Sequence, residues 1–228
     1  KFRMINYSEI FNTTGFVAYF SNNDCNYTLE SNRNRFISEV DLDYIYTRLP
    51  SQTHSSNIKI VNSSASYQDT DGLISTSKIY SLGILVADCI PVFLFDSKTK
   101  YFGLVHSGWR GTVSKITNKA INLFVSFGSK AEDIQVVLGP AIGHCCFEIE
   151  EDIAHLFKPK FLSKKNSKKF SYDLKNAVID DLILLGVEGK KIINDDKCTF
   201  CNSKSFFSYR RQKDSAGRML ALMGWIDK

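Results

Sequence analysis

At 228 residues, 43% hydrophobic and a net charge of +5, the chain is long enough to bury one substantial core, and one domain spanning 1–228 is expected. No window reaches the ~18 uninterrupted apolar residues of a membrane span, and Lys1-Phe2-Arg3-Met4-Ile5-Asn6 lacks the apolar core of a signal peptide, so a soluble cytoplasmic protein without a membrane partner is expected. In that setting the six cysteines read as ligands, nucleophiles or buried thiols rather than as a disulfide framework.

In chain order, 16–20 reads as a short strand and 31–40 as a helix that Ser31 caps, with Phe36, Ile37 and Val40 on one face. Strands at 44–48 and 58–61 bracket a polar loop, Gln52-Thr53-His54-Ser55. The apolar runs 84–88 and 92–96 flank a break at Cys89-Ile90-Pro91, and 101–106 returns beside them, which brings Cys89 and His106 toward each other. The turn Gly108-Trp109-Arg110-Gly111 opens an amphipathic helix with Val113, Ile116, Ala120, Ile121, Phe124 and Val125 at helical spacing up to Gly128. Its N-terminus beside Arg110 is expected to attract an anion such as phosphate. A buried strand, Ile134–Leu138, runs into Gly139-Pro140-Ala141-Ile142-Gly143-His144-Cys145-Cys146-Phe147-Glu148. A short helix at 153–157, a longer one at 174–185 and a final strand at 219–226 complete the chain. Strands outnumber helices in a mixed order, which predicts an α+β fold: a mixed-sheet α/β sandwich, its sheets layered and its helices outside.

Two histidines and one cysteine, His54, Cys89 and His106, form either a metal site or a nucleophile with its base. Asp88 either orients a ligand or caps a turn. Cys198 and Cys201 could join Cys145 and Cys146 in a four-thiolate zinc site, but adjacent cysteine ligands are sterically awkward, so buried thiols are expected there. The lysines at 158, 160, 164, 165, 168 and 169 crowd a stretch expected to be a solvated loop; it lacks the interleaved aromatics of a single-strand binder, and no nucleic-acid partner is expected. The sequons at Asn12, Asn26 and Asn62 carry no weight in a chain rich in Asn and Ser. No His is followed two places on by Glu, Lys197 rather than Pro precedes Cys198, and no G-x-S-x-G elbow or P-loop occurs.

Gln52-Thr53-His54, Ala87-Asp88-Cys89-Ile90-Pro91, His106-Ser107-Gly108-Trp109-Arg110-Gly111 and the 139–148 segment together resemble the multicopper polyphenol oxidase, or laccase-domain, family. Cys198-Thr199, Phe207-Ser208-Tyr209-Arg210-Arg211 and Gly217-Arg218 match its C-terminal signature. Thr53 and Ser55 stand where the family more often carries Val and Gly, and Ser107 where Ala is usual. The resemblance implies a zinc-dependent enzyme that phosphorolyses adenosine, inosine and methylthioadenosine and deaminates adenosine, its metal ligands falling on His54, Cys89 and His106. Some relatives are described as peptidoglycan editing factors. Phosphate would be clamped by Arg110, Arg210, Arg211 or Arg218, with Arg110 and Arg211 leading, and Glu148 is the nearest motif acid for proton transfer. A mononuclear plus a trinuclear copper centre needs far more imidazoles than the four present, so a full laccase copper set is excluded while copper at one site is not. The same atoms without metal would make a cysteine hydrolase or amidase, Cys89 the nucleophile and His106 the base. A zinc-stabilised binding module is the third reading, and the oligomeric state stays open.

Overall fold

The computed structural model describes residues 2–63 and 66–226; Lys1 of the opening segment, Ser64 of the Asn62 sequon and residues 227–228 lie outside them. Side-chain alternation sets the layers. All seven residues of Ile90–Asp96 are buried, and successive side chains leave a strand on opposite faces, so Val92 and Leu94 enter one apolar cluster while Phe93 and Phe95 enter another. A strand buried on both faces belongs inside a sheet. It lies in a six-stranded sheet ordered Ile192–Asn194, Ile134–Leu138, Ile90–Asp96, Phe102–Ser107, Gly72–Ser75 and Ile58–Ile60. The outermost pair on each side is parallel and the central pairs are antiparallel, which makes the sheet mixed.

A five-stranded sheet, ordered Met4–Asn6, Phe16–Ser21, Met219–Trp225, Ser81–Val86 and Thr47–Arg48, packs face to face on it. Aromatic rings fill the space between: Phe16 stacks on Phe95 at 4.2 Å and meets Phe102 and Trp225 edge-on at 5.4 and 5.1 Å. Helices Ile116–Ser126 and Leu174–Leu184 cover the outer face of the six-stranded sheet through Ala120, Ile121, Phe124, Ala177 and Val178. Helix Glu30–Glu39 covers the outer face of the other sheet through Phe36 and Ile37. The architecture is therefore helix, sheet, sheet, helix, the expected mixed α/β sandwich. A small antiparallel sheet, Glu148–Glu150, Lys169–Tyr172 and Leu162–Lys164, sits beside it. Among the described residues no helix is long and apolar enough to cross a membrane.

Local departures from the sequence reading have local causes. The Asp43 side chain accepts from Ile45 N at 2.8 Å and winds Tyr44–Tyr46 into a 3-10 turn, leaving only Thr47–Arg48 as strand. Ser31 caps nothing, because the helix begins at Glu30 after Leu29, without a side-chain cap. The long helix expected after Gly108 is two, Trp109–Val113 and Ile116–Ser126, broken at Lys115, which takes a left-handed conformation (φ 61°) and reaches Asp181 at 3.0 Å. The lysine-rich stretch is not one open loop: Leu162–Lys164 and Lys169–Tyr172 form a hairpin, and ahead of it Lys158 pairs with Asp180 and Asp181, both at 2.8 Å, and Lys160 with Asp180 at 2.5 Å.

Candidate metal centre

Register places the first two residues of the centre. Pro91 pairs with His106 and Ile90 with Ser107, so Cys89, just before Ile90, lies beside the end of the strand that carries His106. His54 arrives from the polar loop in a left-handed conformation (φ 62°), a strained backbone that a rigid surround must hold. Part of that surround is Gln52, whose side-chain amide donates to Leu85 O and accepts from Leu85 N, each at 2.8 Å, like an added strand residue. His54, Cys89 and His106 each present a ligand atom, and the three atoms lie within 4.8 Å of one another. The two imidazoles meet edge to face at 5.0 Å. Gly108 backs them: a Cβ there would lie 2.9 Å from Cys89 Sγ and 3.2 Å from His54 Cδ2, so the backbone itself forms the wall.

Asp71, which sequence reasoning passed over, organises the centre. Fully buried, it receives Thr53 N and His54 N at 3.1 Å, Ser55 N at 2.7 Å and Ser55 Oγ at 2.8 Å. Its Oδ1 also lies 2.7 Å from His106 Nδ1. A carboxylate only accepts, so the proton of that bond sits on Nδ1 and the neutral ring keeps its lone pair on Nε2. One buried charge thus shapes the His54 loop and fixes the His106 tautomer. Ser55, where the family more often has Gly, adds a hydroxyl to this carboxylate, and Ser107, in place of Ala, bonds Thr112 Oγ1 at 2.9 Å. The only signal in the sequence was an acidic residue and a glycine ahead of the apolar run Leu73-Ile74.

Burial alone would push Asp71 up; the hydrogen bonds from His106, Ser55 and Thr53 outweigh it and hold the carboxyl well below the usual range. Burial likewise opposes a Cys89 thiolate, but the charge of His106 and hydrogen bonds from His106 and His54 bring it down to about 6. His106 is the counterpart: burial opposes its cation, while Cys89 and Asp71 raise it to about 9. Near neutral pH the pair is thus a thiolate beside an imidazolium.

The remaining residues fall into two groups. Arg110 is exposed, two positions past Gly108, with its guanidinium over the Trp109 ring at 4.4 Å. The helix behind it has five residues, too short for its dipole to make an anion site. Arg211 is not a free clamp: its guanidinium donates to Thr199 O (3.0 Å), Phe200 O (2.5 Å) and Phe206 O (2.7 Å), backbone carbonyls of its own surroundings. Arg218 donates to Ala216 O and Gly217 O, and Arg210 to Glu148 O. Glu148 pairs with Lys169 at 3.5 Å. Asp88, in a left-handed conformation (φ 86°), receives Thr199 Oγ1 at 2.6 Å, Ser208 Oγ at 3.0 Å and Arg210 N at 2.6 Å. Its carboxylate ties the C-terminal segments to the residue before Cys89, a positioning role. His144 and His155 are exposed and outside the cluster.

Two imidazoles and one thiolate match a tetrahedral zinc ion with one position left open, and the buried Asp71 behind His106 is the support such ligands need. Residues 11–226 match the family described as multi-copper polyphenol oxidoreductase laccase. A purine nucleoside phosphorylase of Borreliella burgdorferi is 32% identical over 208 residues, 86% of this chain and 81% of the relative. Adenosine deaminase RL5, from an unknown prokaryotic organism, is 29% identical over 78% of this chain and 74% of its own. The fold superposes on the crystal structure of YlmD from Geobacillus stearothermophilus with a TM-score of 0.87 at 25% identity, over 93% and 92% of the two chains. A hypothetical protein, YfiH, of Bacillus licheniformis gives 0.91 at 24% identity over 98% of each chain, a likeness of fold. With nearly its whole length inside the match, the chain belongs to the multi-copper polyphenol oxidoreductase laccase family.

Proposed function

We propose that this chain is a zinc-dependent purine nucleoside phosphorylase that also deaminates adenosine, with the metal on His54, Cys89 and His106. The observation that carries the reading is the convergence of those three donors within 4.8 Å on a glycine wall, in a chain whose relatives bear both enzyme names. Bound there, zinc would supply a residual positive charge and Lewis acidity at an open position. The chain's own residues do the rest. Asp71 keeps the His106 Nδ1 proton in place, which would leave Nε2 as the nitrogen free to hold a metal. Arg110, exposed and braced on Trp109, is the guanidinium we assign to phosphate. Glu148 is assigned to proton transfer to the departing base. Zinc-loaded protein given adenosine and phosphate is expected to release adenine, and to form inosine without needing phosphate; chelation is expected to abolish both. Neither product from fully loaded protein refutes the proposal.

A second reading has its own support. Asp71, His106 and Cys89 follow one another as carboxylate, imidazole and thiolate, the order of a nucleophilic triad, which suits a hydrolase or amidase. His54 against the same sulfur favours the metal, since a nucleophile needs one base. Activity that survives chelation and dies on alkylation of Cys89 would select the triad.

A further inference from the structure

Four of the six cysteines gather away from the first centre. Cys145, Cys146, Cys198 and Cys201 present sulfurs that lie within 4.8 Å of one another, with Cys145 to Cys201 at 3.8 Å and Cys146 to Cys201 at 3.4 Å. A tetrahedral zinc with Zn–S bonds of ~2.3 Å requires sulfur–sulfur separations of ~3.8 Å. The cluster brackets that spacing. The steric objection to neighbouring ligands holds for an extended backbone, where successive side chains diverge, but this backbone is not extended: Cys146 N and Phe147 N both return to Gly143 O at 2.9 Å, a turn that brings both cysteines to one side. Nor are they the buried thiols expected from the sequence, for Cys145 and Cys201 are exposed, Cys146 is partly so, and only Cys198 is buried.

The surroundings are built for the same purpose. Thr199 N donates to Ala141 O at 2.9 Å, bridging the two cysteine-bearing segments. Asn202 N and Nδ2 return to Cys198 O and close the second pair into its own turn. Gly143 N donates to Cys198 Sγ at 3.2 Å, and a Cβ at Gly143 would press on Cys145 Sγ and Cys198 Cβ at 3.3 Å. A donor to the sulfur and a missing side chain above it are what a metal-bound thiolate needs.

We propose that Cys145, Cys146, Cys198 and Cys201 form a second metal site, a closed tetrathiolate zinc centre with a structural role. It staples the 139–147 and 195–202 segments, and Thr199, between two of its ligands, carries that order to Asp88 through a 2.6 Å hydrogen bond. Protein produced with zinc and purified with reductant is expected to hold about two zinc equivalents per chain by elemental mass spectrometry. Cys145→Ser/Cys201→Ser is expected to lose one equivalent and melt lower. His54→Ala/His106→Ala is expected to keep one, and cobalt loaded into it should give the strong sulfur-to-metal charge transfer and red d–d bands of a tetrathiolate. The wild-type zinc count needs no variant to fold. A wild-type count of one that Cys145→Ser/Cys201→Ser leaves intact overturns the proposal, as does a Cys146–Cys201 disulfide in protein that holds no metal there. None of these readouts depends on nucleoside turnover: were the first centre metal-free, wild type would hold one equivalent that Cys145→Ser/Cys201→Ser removes and His54→Ala/His106→Ala keeps.

Discussion

Replacing Asp71 with Asn swaps one carboxylate oxygen for an amide nitrogen in a site where both oxygens receive donors. Oδ1 takes His54 N and His106 Nδ1, and Oδ2 takes Thr53 N, Ser55 N and Ser55 Oγ. Whichever way the amide turns, its NH2 faces at least two N–H groups, and those donors lose their acceptor without access to water. A hydrogen bond to a charged group contributes ~1.5–3 kcal/mol, so two lost bonds cost roughly 3–6 kcal/mol. Against a total stability of roughly 5–15 kcal/mol that is severe, and at roughly 2–4 °C per kcal/mol it lowers the melting temperature by roughly 6–24 °C. If the amide turns its nitrogen to His106, the ring loses its fixed tautomer, and zinc affinity falls roughly 10–100-fold, the usual loss when the partner behind a metal ligand is removed. The sign of the pH dependence follows from the lowered carboxyl: its contribution is full above the unfolded value of about 4 and is lost as pH falls through the folded one, so wild type and variant converge in acid. Thermal melts in chelator and zinc competition titrations read both quantities. A variant that melts within about 2 °C of wild type and binds zinc within about twofold would refute the assignment of Asp71 as the organising residue.

Zinc binding at the first centre is expected to release one proton, from His106, wherever that centre begins as thiolate and imidazolium, so affinity rises about tenfold per pH unit between about 6 and 9; calorimetry on Cys145→Ser/Cys201→Ser in buffers of different ionisation enthalpy counts that proton. In the metal-free protein the raised His106 contributes stability below about 6.5 that is lost as pH rises through about 9, while the lowered Cys89 contributes stability above its ordinary value of about 9 that is lost as pH falls through about 6. The two trends oppose, so the metal-free melting temperature should stay nearly flat across that window, and a steep slope there contradicts the pairing. Gly108→Ala should weaken zinc by about tenfold or more while sparing the metal-free melting temperature, since the added methyl meets Cys89 Sγ and His54 rather than the core; undiminished affinity would show that the wall is not where zinc sits. Arg110→Met should raise the phosphate KM without changing stability, whereas Arg211→Met, which strips donors from three carbonyls, should lower the melting temperature; the reverse pattern reassigns the phosphate contact.

The layered sandwich was legible because it rests on local signals: the fully apolar run at 92–95 demands a two-sided core, and the 3.6-residue spacing from Ile116 to Phe124 demands a covering helix. Cys89 and His106 were legible for the same reason, Cys89 just ahead of a strand and His106 on its antiparallel neighbour, the two strands joined by a short turn. Asp71 was not, since its role is made by bonds to residues 16 to 35 positions away that no periodicity announces; the closest clue, Asp-Gly before a strand, reads equally as a turn. The sequence does not show which way Arg211 faces, because a motif arginine looks the same whether its donors meet a substrate or, as here, backbone carbonyls.

The two cysteine pairs stand out in the sequence, but whether they can meet on one ion does not, for a related reason that constrains how the molecule works. Whether neighbouring cysteines can share an ion depends on the turn at Gly143, and that turn depends on a bridge from Ala141 to residues some sixty positions on. The segments so joined end on Asp88, which precedes Cys89, while the opposite side of the centre ends on Asp71, which governs His54 and His106. Each donor of the first centre is thus positioned by a buried carboxylate, and the two carboxylates are held by different parts of the chain: Asp71 by the neighbouring His54 loop, Asp88 by the C-terminal segments. Loosening the four-thiolate cluster should therefore disturb the Cys89 side of the centre before the His106 side. Chemical shifts of the two imidazoles and the alkylation rate of Cys89, followed in Cys145→Ser/Cys201→Ser, separate the two: a changed rate with unmoved imidazoles is the expected order, and imidazoles that move first would break the link through Thr199.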